Sequence, residues 1–254
     1  MSTVRIQARG LTRDFGGGAG VYGIDLEVAA GEIHALVGLN GAGKTTLMRL
    51  LLGMLRPDAG TVLLNGRPPE PGAWSRVGHL VETPFAYGEL DGRTNLMLAA
   101  RLHGVPVPEA ARMVHSVLTE LNLARYARVR ARRLSLGNRQ RLGLAAALQH
   151  HPEIIVLDEP TNALDPAGVI LLREALVRRA AAGAGVLVSS HHLDEVARVA
   201  HRITVINGGR VIGSLDPHGI DIERSFFALV HADDERRARE GADQELDDQQ
   251  RRAA

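Results

Sequence analysis

Apolar residues fall into two kinds of grouping along this chain: short continuous runs, and longer stretches where they recur every three or four positions. Short runs bounded by turn residues read as strands, and the longer period reads as helix. Residues 4–8 and 24–28 predict two strands, with the glycine-rich segment 16–20 between them as in a hairpin. The run Ile33–Val37 predicts a short buried strand, and the apolar spacing over 46–52 a helix after it. Residues 61–64 predict a further strand, closed by the turn pair Asn65-Gly66. From about Thr94 to Leu148 the spacing of Leu96, Ala99, Ala100 and Leu102, then of Leu142, Ala145 and Ala146, predicts mostly helix. Ile154–Leu157 and 186–188 are continuous apolar runs, the pattern of parallel strands covered on both faces. Helices at 167–182 and 193–200 separate these runs from 203–206. Strands alternating with helices predict an α/β fold. Residues 231–254 are almost entirely charged or polar, so we expect a disordered tail or a frayed helix there, outside a domain ending at residue 230.

Composition narrows the function classes. With 254 residues and 45% hydrophobic content, the chain can form one large α/β domain or a core with appended lobes. Zero cysteines exclude disulfide frameworks and thiolate metal sites. A net charge of +1 offers no global attraction for nucleic acid, and no nucleic-acid partner is expected. No apolar run approaches the roughly 20 residues that a membrane-spanning helix needs, and the N-terminus lacks an apolar signal core. The expectation is a soluble cytoplasmic protein.

One position carries most of the chemistry. The chain has a single lysine, Lys44, while every other cationic side chain among its 30 Lys+Arg is arginine. Lys44 sits in Gly38-Leu39-Asn40-Gly41-Ala42-Gly43-Lys44-Thr45, which fits the phosphate-binding pattern G-x-x-x-x-G-K-[ST], with Thr46 continuing into the helix. An ammonium on a long stem reaches between two phosphates where a planar guanidinium would not fit. Strand, glycine loop and helix N-terminus together aim backbone N–H groups and a helix dipole at an anion. Binding of a nucleoside triphosphate follows, and the loop is expected to form at the surface with no buried role for Lys44. The strand Ile154–Leu157 ends in Asp158-Glu159. Asp158 and Thr45 can hold Mg²⁺, and Glu159 is placed to polarise an attacking water.

Three further segments carry a family resemblance. Leu134-Ser135-Leu136-Gly137-Asn138-Arg139-Gln140 resembles the signature segment of ATP-binding cassette (ABC) ATPases, Ala163-Leu164-Asp165 their D-loop, and Ser189-Ser190-His191 their switch-histidine loop. Order and spacing over about residues 4–212 are those of one ABC nucleotide-binding domain. The resemblance implies a P-loop NTPase fold: a RecA-like α/β core, an N-terminal antiparallel β lobe and an inserted helical lobe at about 83–146. It also implies ATP and Mg²⁺ as cofactors and a dimer, with itself or a related ATPase subunit, in which each signature covers the ATP held by the other phosphate loop. Ser135, Gly137, Asn138 and Asp165 then contact nucleotide across the interface, and His191 contacts the γ-phosphate. Leu136 and Asn138 depart from the commonest LSGGQ form. Phe15 matches the aromatic that stacks on adenine, with Tyr22 as the competing ring.

The resemblance further implies a transmembrane permease partner and a place at the cytoplasmic face of the membrane. The segment 81–96 resembles the Q-loop region of bacitracin and lantibiotic resistance ATPases, with Glu82 where Gln is usual, so Glu82 is assigned to nucleotide and Mg²⁺. Export of a peptide antibiotic or drug leads, with lipid or ion export behind it. A GTPase is excluded because its Asn-Lys-x-Asp needs a second lysine. A soluble ABC ATPase usually carries two cassettes or a long insertion, and this chain has neither. An inactive binding module fits poorly with Glu159 and His191 present. The basic stretch Arg125, Arg128, Arg130, Arg132 and Arg133 reads as a solvated face.

Overall fold

The computed structural model describes residues 3–84 and 86–253. Among the described residues, two sheets carry the fold. The first is antiparallel, with β1 (Val4–Gly16) between β2 (Ala19–Ala29) and β4 (Ala59–Leu64). The hairpin strands are longer than the apolar runs suggest, because β1 and β2 extend as a ribbon up to a tight turn at Gly17-Gly18.

The second sheet has six strands in the order β5-β6-β7-β3-β8-β9, comprising β3 (Ile33–Val37), β5 (Val77–Leu80), β6 (Ile154–Leu157), β7 (Gly185–Ser190), β8 (Arg202–Asn207) and β9 (Arg210–Leu215). All pairings are parallel except β8 with β9. β3, β6 and β7 are buried along their whole length, which explains their continuous apolar sequences. Alternate residues divide two cores. Leu36, Ile154, Val156, Leu187 and Ile206 face α1 (Lys44–Leu51) and the antiparallel sheet. Ala35, Ile155, Leu157, Val186, Val188 and Ile203 face the other helices. Those are α2 (Gly92–Leu102), α3 (Val107–Glu120), α4 (Leu136–Leu148), α5 (Pro166–Ala181), α6 (Leu193–Ala197) and α7 (Ile222–Ala253).

The charged C-terminal segment is helix, one of the two forms expected of it, and it is docked in part. α7 starts at Ile222, and packing does not stop at residue 230. Asp233 is only 3% exposed and accepts hydrogen bonds from Asn207, Arg236 and Arg237, while Arg237 also donates to the Asn207 carbonyl at 2.6 Å. A paired carboxylate holds this turn of helix, so low hydropathy there does not mean an undocked chain. Among the described residues, no helix is long and apolar enough to cross a membrane.

Candidate functional site

Three adjacent parallel strands, β6, β7 and β3, end on one side of the sheet, where open α/β sheets place their ligands. Gly38 follows β3, Asp158 and Glu159 follow β6, and Ser189 and Ser190 close β7. The phosphate loop needs its glycines. A Cβ on Gly38 would lie 2.3 Å from the Ile206 carbonyl oxygen, and Gly43 sits at φ +105°, against Val21, Gly20 and Gly209. Gly43 is the N-cap of α1 and offers no side-chain cap, so the first N–H groups of this helix point outward unsatisfied by it. That donor set fits an anion.

Lys44 corrects an expectation. Its side chain is buried, 6% exposed, and donates to the carbonyls of Gly38 at 2.8 Å and Leu39 at 3.3 Å. Its Nζ also lies 3.4 Å from Glu159 Oε1. The ammonium therefore holds the loop and the carboxylate together, because a buried charge requires partners. Thr45 donates its hydroxyl hydrogen to Asp158 Oδ2 at 2.6 Å. Among the described residues no group of three or more His, Cys, Asp or Glu could hold a metal by itself. A hydroxyl and one carboxylate fit Mg²⁺, which uses one or two protein carboxylates and takes its other ligands from phosphates and water.

Glu159 stands at φ +45°, an uncommon conformation for a residue with a Cβ. Its Oε2 accepts from His191 Nδ1 at 2.7 Å and from the His191 backbone N–H at 3.3 Å. Because a carboxylate only accepts, Nδ1 carries the proton. Lys44, Glu159 and His191 thus form one set and Thr45 with Asp158 another, and Ser189 joins the two. Ser189, which the sequence shows only as part of a loop resemblance, bonds to both acidic residues: its hydroxyl donates to Asp158 Oδ1 at 2.5 Å and accepts from the Glu159 N–H at 2.8 Å. A serine closing an apolar strand was the one available signal.

Other expected residues find their partners outside this group. Glu82, at φ +67°, is ion-paired with Arg49 of α1. Phe15 is 52% exposed near the tip of the β1–β2 hairpin, with the Arg13 guanidinium 5.2 Å from its ring centroid. Tyr22 is occupied: its hydroxyl lies 3.0 Å from Asp14 Oδ1 and 3.1 Å from the Ala19 carbonyl, and Arg210 lies over its ring. Ser135 caps α4, accepting from the Asn138 N–H at 3.3 Å. A Cβ on Gly137 would stand 2.6 Å from the Ala163 carbonyl oxygen, and Gln140 donates to the Pro160 carbonyl at 3.1 Å. Arg141 lies 3.5 Å from Asp165 Oδ1, and Asp165 caps α5 through the Gly168 N–H. Asn138 is buried with Oδ1 unpartnered. The signature segment is therefore built onto the 160–165 loop. Among the described residues, no hydrogen bond or ion pair joins Ser135, Gly137 or Asn138 to the phosphate loop.

Comparison with known proteins points the same way. A family model described as ABC transporter matches residues 21–162. The chain is 33% identical over 232 residues to an uncharacterized ABC transporter ATP-binding protein, YhaQ, of Bacillus subtilis, covering 89% of this chain and 76% of that protein. It is 38% identical to the daunorubicin resistance ATP-binding protein DrrA3 of Streptomyces coeruleorubidus, covering 84% and 68%. It is 34% identical to the bacitracin transport ATP-binding protein BcrA of Bacillus licheniformis, covering 84% and 69%. A solved ATP-binding subunit of an ABC transporter superposes with a TM-score of 0.78 at 29% identity, over 89% of this chain and 94% of that one.

Proposed function

Because the chain belongs to the ABC transporter family, as an ATP-binding subunit that hydrolyses ATP to drive transport, we propose that it energises a separate permease that exports a peptide antibiotic or drug. Similarity to proteins named for daunorubicin resistance and bacitracin transport supports that cargo class. The subunit would sit at the cytoplasmic face of the membrane, held through the permease.

The observation that carries the mechanism is the connected group at the strand ends: Lys44 to Glu159, Glu159 to His191, Thr45 to Asp158, and Ser189 between the two acids. The helix N-terminus and Lys44 bind the β- and γ-phosphates. Thr45 and Asp158 would hold Mg²⁺, which would supply positive charge beside the phosphates. Glu159 orients the attacking water and accepts its proton, and His191, its Nδ1–H held by Glu159, presents Nε2 towards the γ-phosphate. Phe15 stacks on the base. Catalysis is then positioning and electrostatics, as phosphoryl transfer requires. Ser135, Gly137, Asn138 and Asp165 complete the site of a second subunit in a two-fold dimer, a reading supported by their having, among the described residues, no hydrogen bond or ion pair to the phosphate loop of their own chain.

Glu159→Gln tests this reading. The amide cannot accept a proton, so ATP should bind, turn over at least about a hundredfold more slowly, and hold two subunits together in size-exclusion chromatography with ATP and Mg²⁺. Wild-type turnover would remove Glu159 from catalysis.

A further inference from the structure

Ser189 occupies an unusual place for a hydroxyl. It is fully buried, 0% exposed, near the end of β7. There the register sets Val188 opposite Leu157, and the residues that follow them, Ser189 and Asp158, meet through their side chains. A buried hydroxyl costs free energy unless bonded, and both of its bonds go to the acidic pair. Asp158 is thereby held at both oxygens: Oδ1 by Ser189 at 2.5 Å and Oδ2 by Thr45 at 2.6 Å. The same hydroxyl fixes the peptide N–H of Glu159, whose left-handed backbone needs support from its surroundings. Ser190 is buried as deeply, yet its hydroxyl turns the other way, donating to the His192 carbonyl at 3.2 Å and accepting its N–H at 2.9 Å. The contact with Asp158 and Glu159 is specific to position 189.

We propose that Ser189 is a positioning residue of the ATPase centre, orienting Asp158 for the nucleotide-bound metal and setting the backbone of Glu159 in one step. The inference rests on the roles given above to Thr45, Asp158 and Glu159. One hydroxyl serves both because it donates to one partner and accepts from the other. Alanine leaves an acceptor and a donor unpaired. Threonine keeps both bonds, and cysteine keeps them only weakly.

The experiment compares Ser189→Ala, Ser189→Thr and Ser189→Cys with wild type. Mn²⁺ binding is read by electron paramagnetic resonance with a slowly hydrolysed ATP analogue, metal-free nucleotide affinity by fluorescence, kcat by turnover and folding by thermal melting. Groups that orient a metal's ligands are worth roughly 10–100-fold in metal affinity or activity. Ser189→Ala should weaken Mn²⁺ and lower kcat each by about tenfold or more, with metal-free nucleotide affinity unchanged and Ser189→Thr restoring both. A lower melting temperature with wild-type Mn²⁺ affinity and kcat would reduce Ser189 to a core hydrogen bond and overturn the proposal. If Ser189→Ala does not fold, equal Mn²⁺ affinity in the Thr and Cys variants overturns it instead. Glu159→Gln, measured in parallel, separates the two readings: normal turnover there sinks the assignment of the site, whereas a slow Glu159→Gln beside a wild-type Ser189→Ala sinks only the role of Ser189.

Discussion

A buried ammonium answers to two tasks at Lys44. It closes the phosphate loop on the Gly38 and Leu39 carbonyls and neutralises Glu159. Lys44→Ala should nearly abolish ATP binding, and it should also destabilise the fold. Loss of the cation leaves a partly buried carboxylate with His191 as its remaining partner, a cost of about 1–3 kcal/mol. Nucleotide affinity together with a melting curve checks this: wild-type affinity would sink the loop's role, and an unchanged melting temperature would sink the structural one. Glu82 is a weaker case. An exposed ion pair such as Glu82–Arg49 contributes about 0–1 kcal/mol, so Glu82→Gln should leave stability and ATP binding nearly unchanged. Arg49 lies on the helix that starts at Lys44. Freeing it should shift the Mg²⁺ dependence of the ATPase or its coupling to transport, and matching wild-type behaviour in Glu82→Gln and Glu82→Ala would make Glu82 a bystander.

Elements read well from sequence where burial is continuous or period is clean, and poorly where a charge does the docking. Ile154–Leu157 and Ile33–Val37 announce themselves because every residue is buried. β9 (Arg210–Leu215) gives no such run, being an edge strand with its first residues exposed. α7 is harder still, since its buried positions Phe226, Val230 and Asp233 end on an acid that a hydropathy pattern counts as solvent-facing. Lys44, Thr45, Asp158, Glu159 and His191 stood in motifs, but Ser189 acts through a register that only the sheet reveals. α7 also reaches the site. Glu223 and Phe226 line a cavity of about 360 Å³ with Gly38, Leu39 and His191. Through Asp233 and Arg237 the helix grips Asn207, two residues before Gly209, whose N–H donates to the Ala42 carbonyl and whose carbonyl accepts from Tyr22. Asp233→Ala should loosen this turn, costing about 1–2 kcal/mol and lowering ATP affinity severalfold. Proteolysis of α7 at wild-type rate, with unchanged nucleotide affinity, would rule out the link.

At the scale of the whole molecule, the two cores meet across one sheet, and buried histidines stand at two of its junctions. His34 of β3 lies between the sheets, donating Nδ1–H to the Glu27 carbonyl at 3.0 Å with Thr204 Oγ1 2.8 Å from Nε2. Near the β5 edge, His150, just beyond α4, stacks on His103 at the end of α2, with ring centroids 3.7 Å apart. Burial is the main cause that lowers the His34 pKa to about 4, helped by the Arg202 charge. Burial, with the His103 ring, lowers that of His150 to about 3. Below the ordinary value of 6.5 the unfolded chain takes up protons that the folded chain refuses. Stability is therefore full above about pH 6.5 and falls as pH drops towards 4 and 3, by about 1.4 kcal/mol per pH unit for each group. Glu120 adds a lower window. Burial raises its pKa, but hydrogen bonds from Arg179 and Arg178 outweigh that and bring it to about 2, so its contribution is present above pH 4.5 and disappears towards pH 2. Between pH 7.5 and 5.5 only the histidines act, and the melting temperature should fall by roughly 5–10 °C. His34→Gln, whose amide can donate to Glu27 and accept from Thr204, should make that fall shallower by the share of one group. A melting temperature that is flat across this range, or a His34→Gln slope equal to wild type, would show that His34 is not the acid-sensitive joint between the sheets.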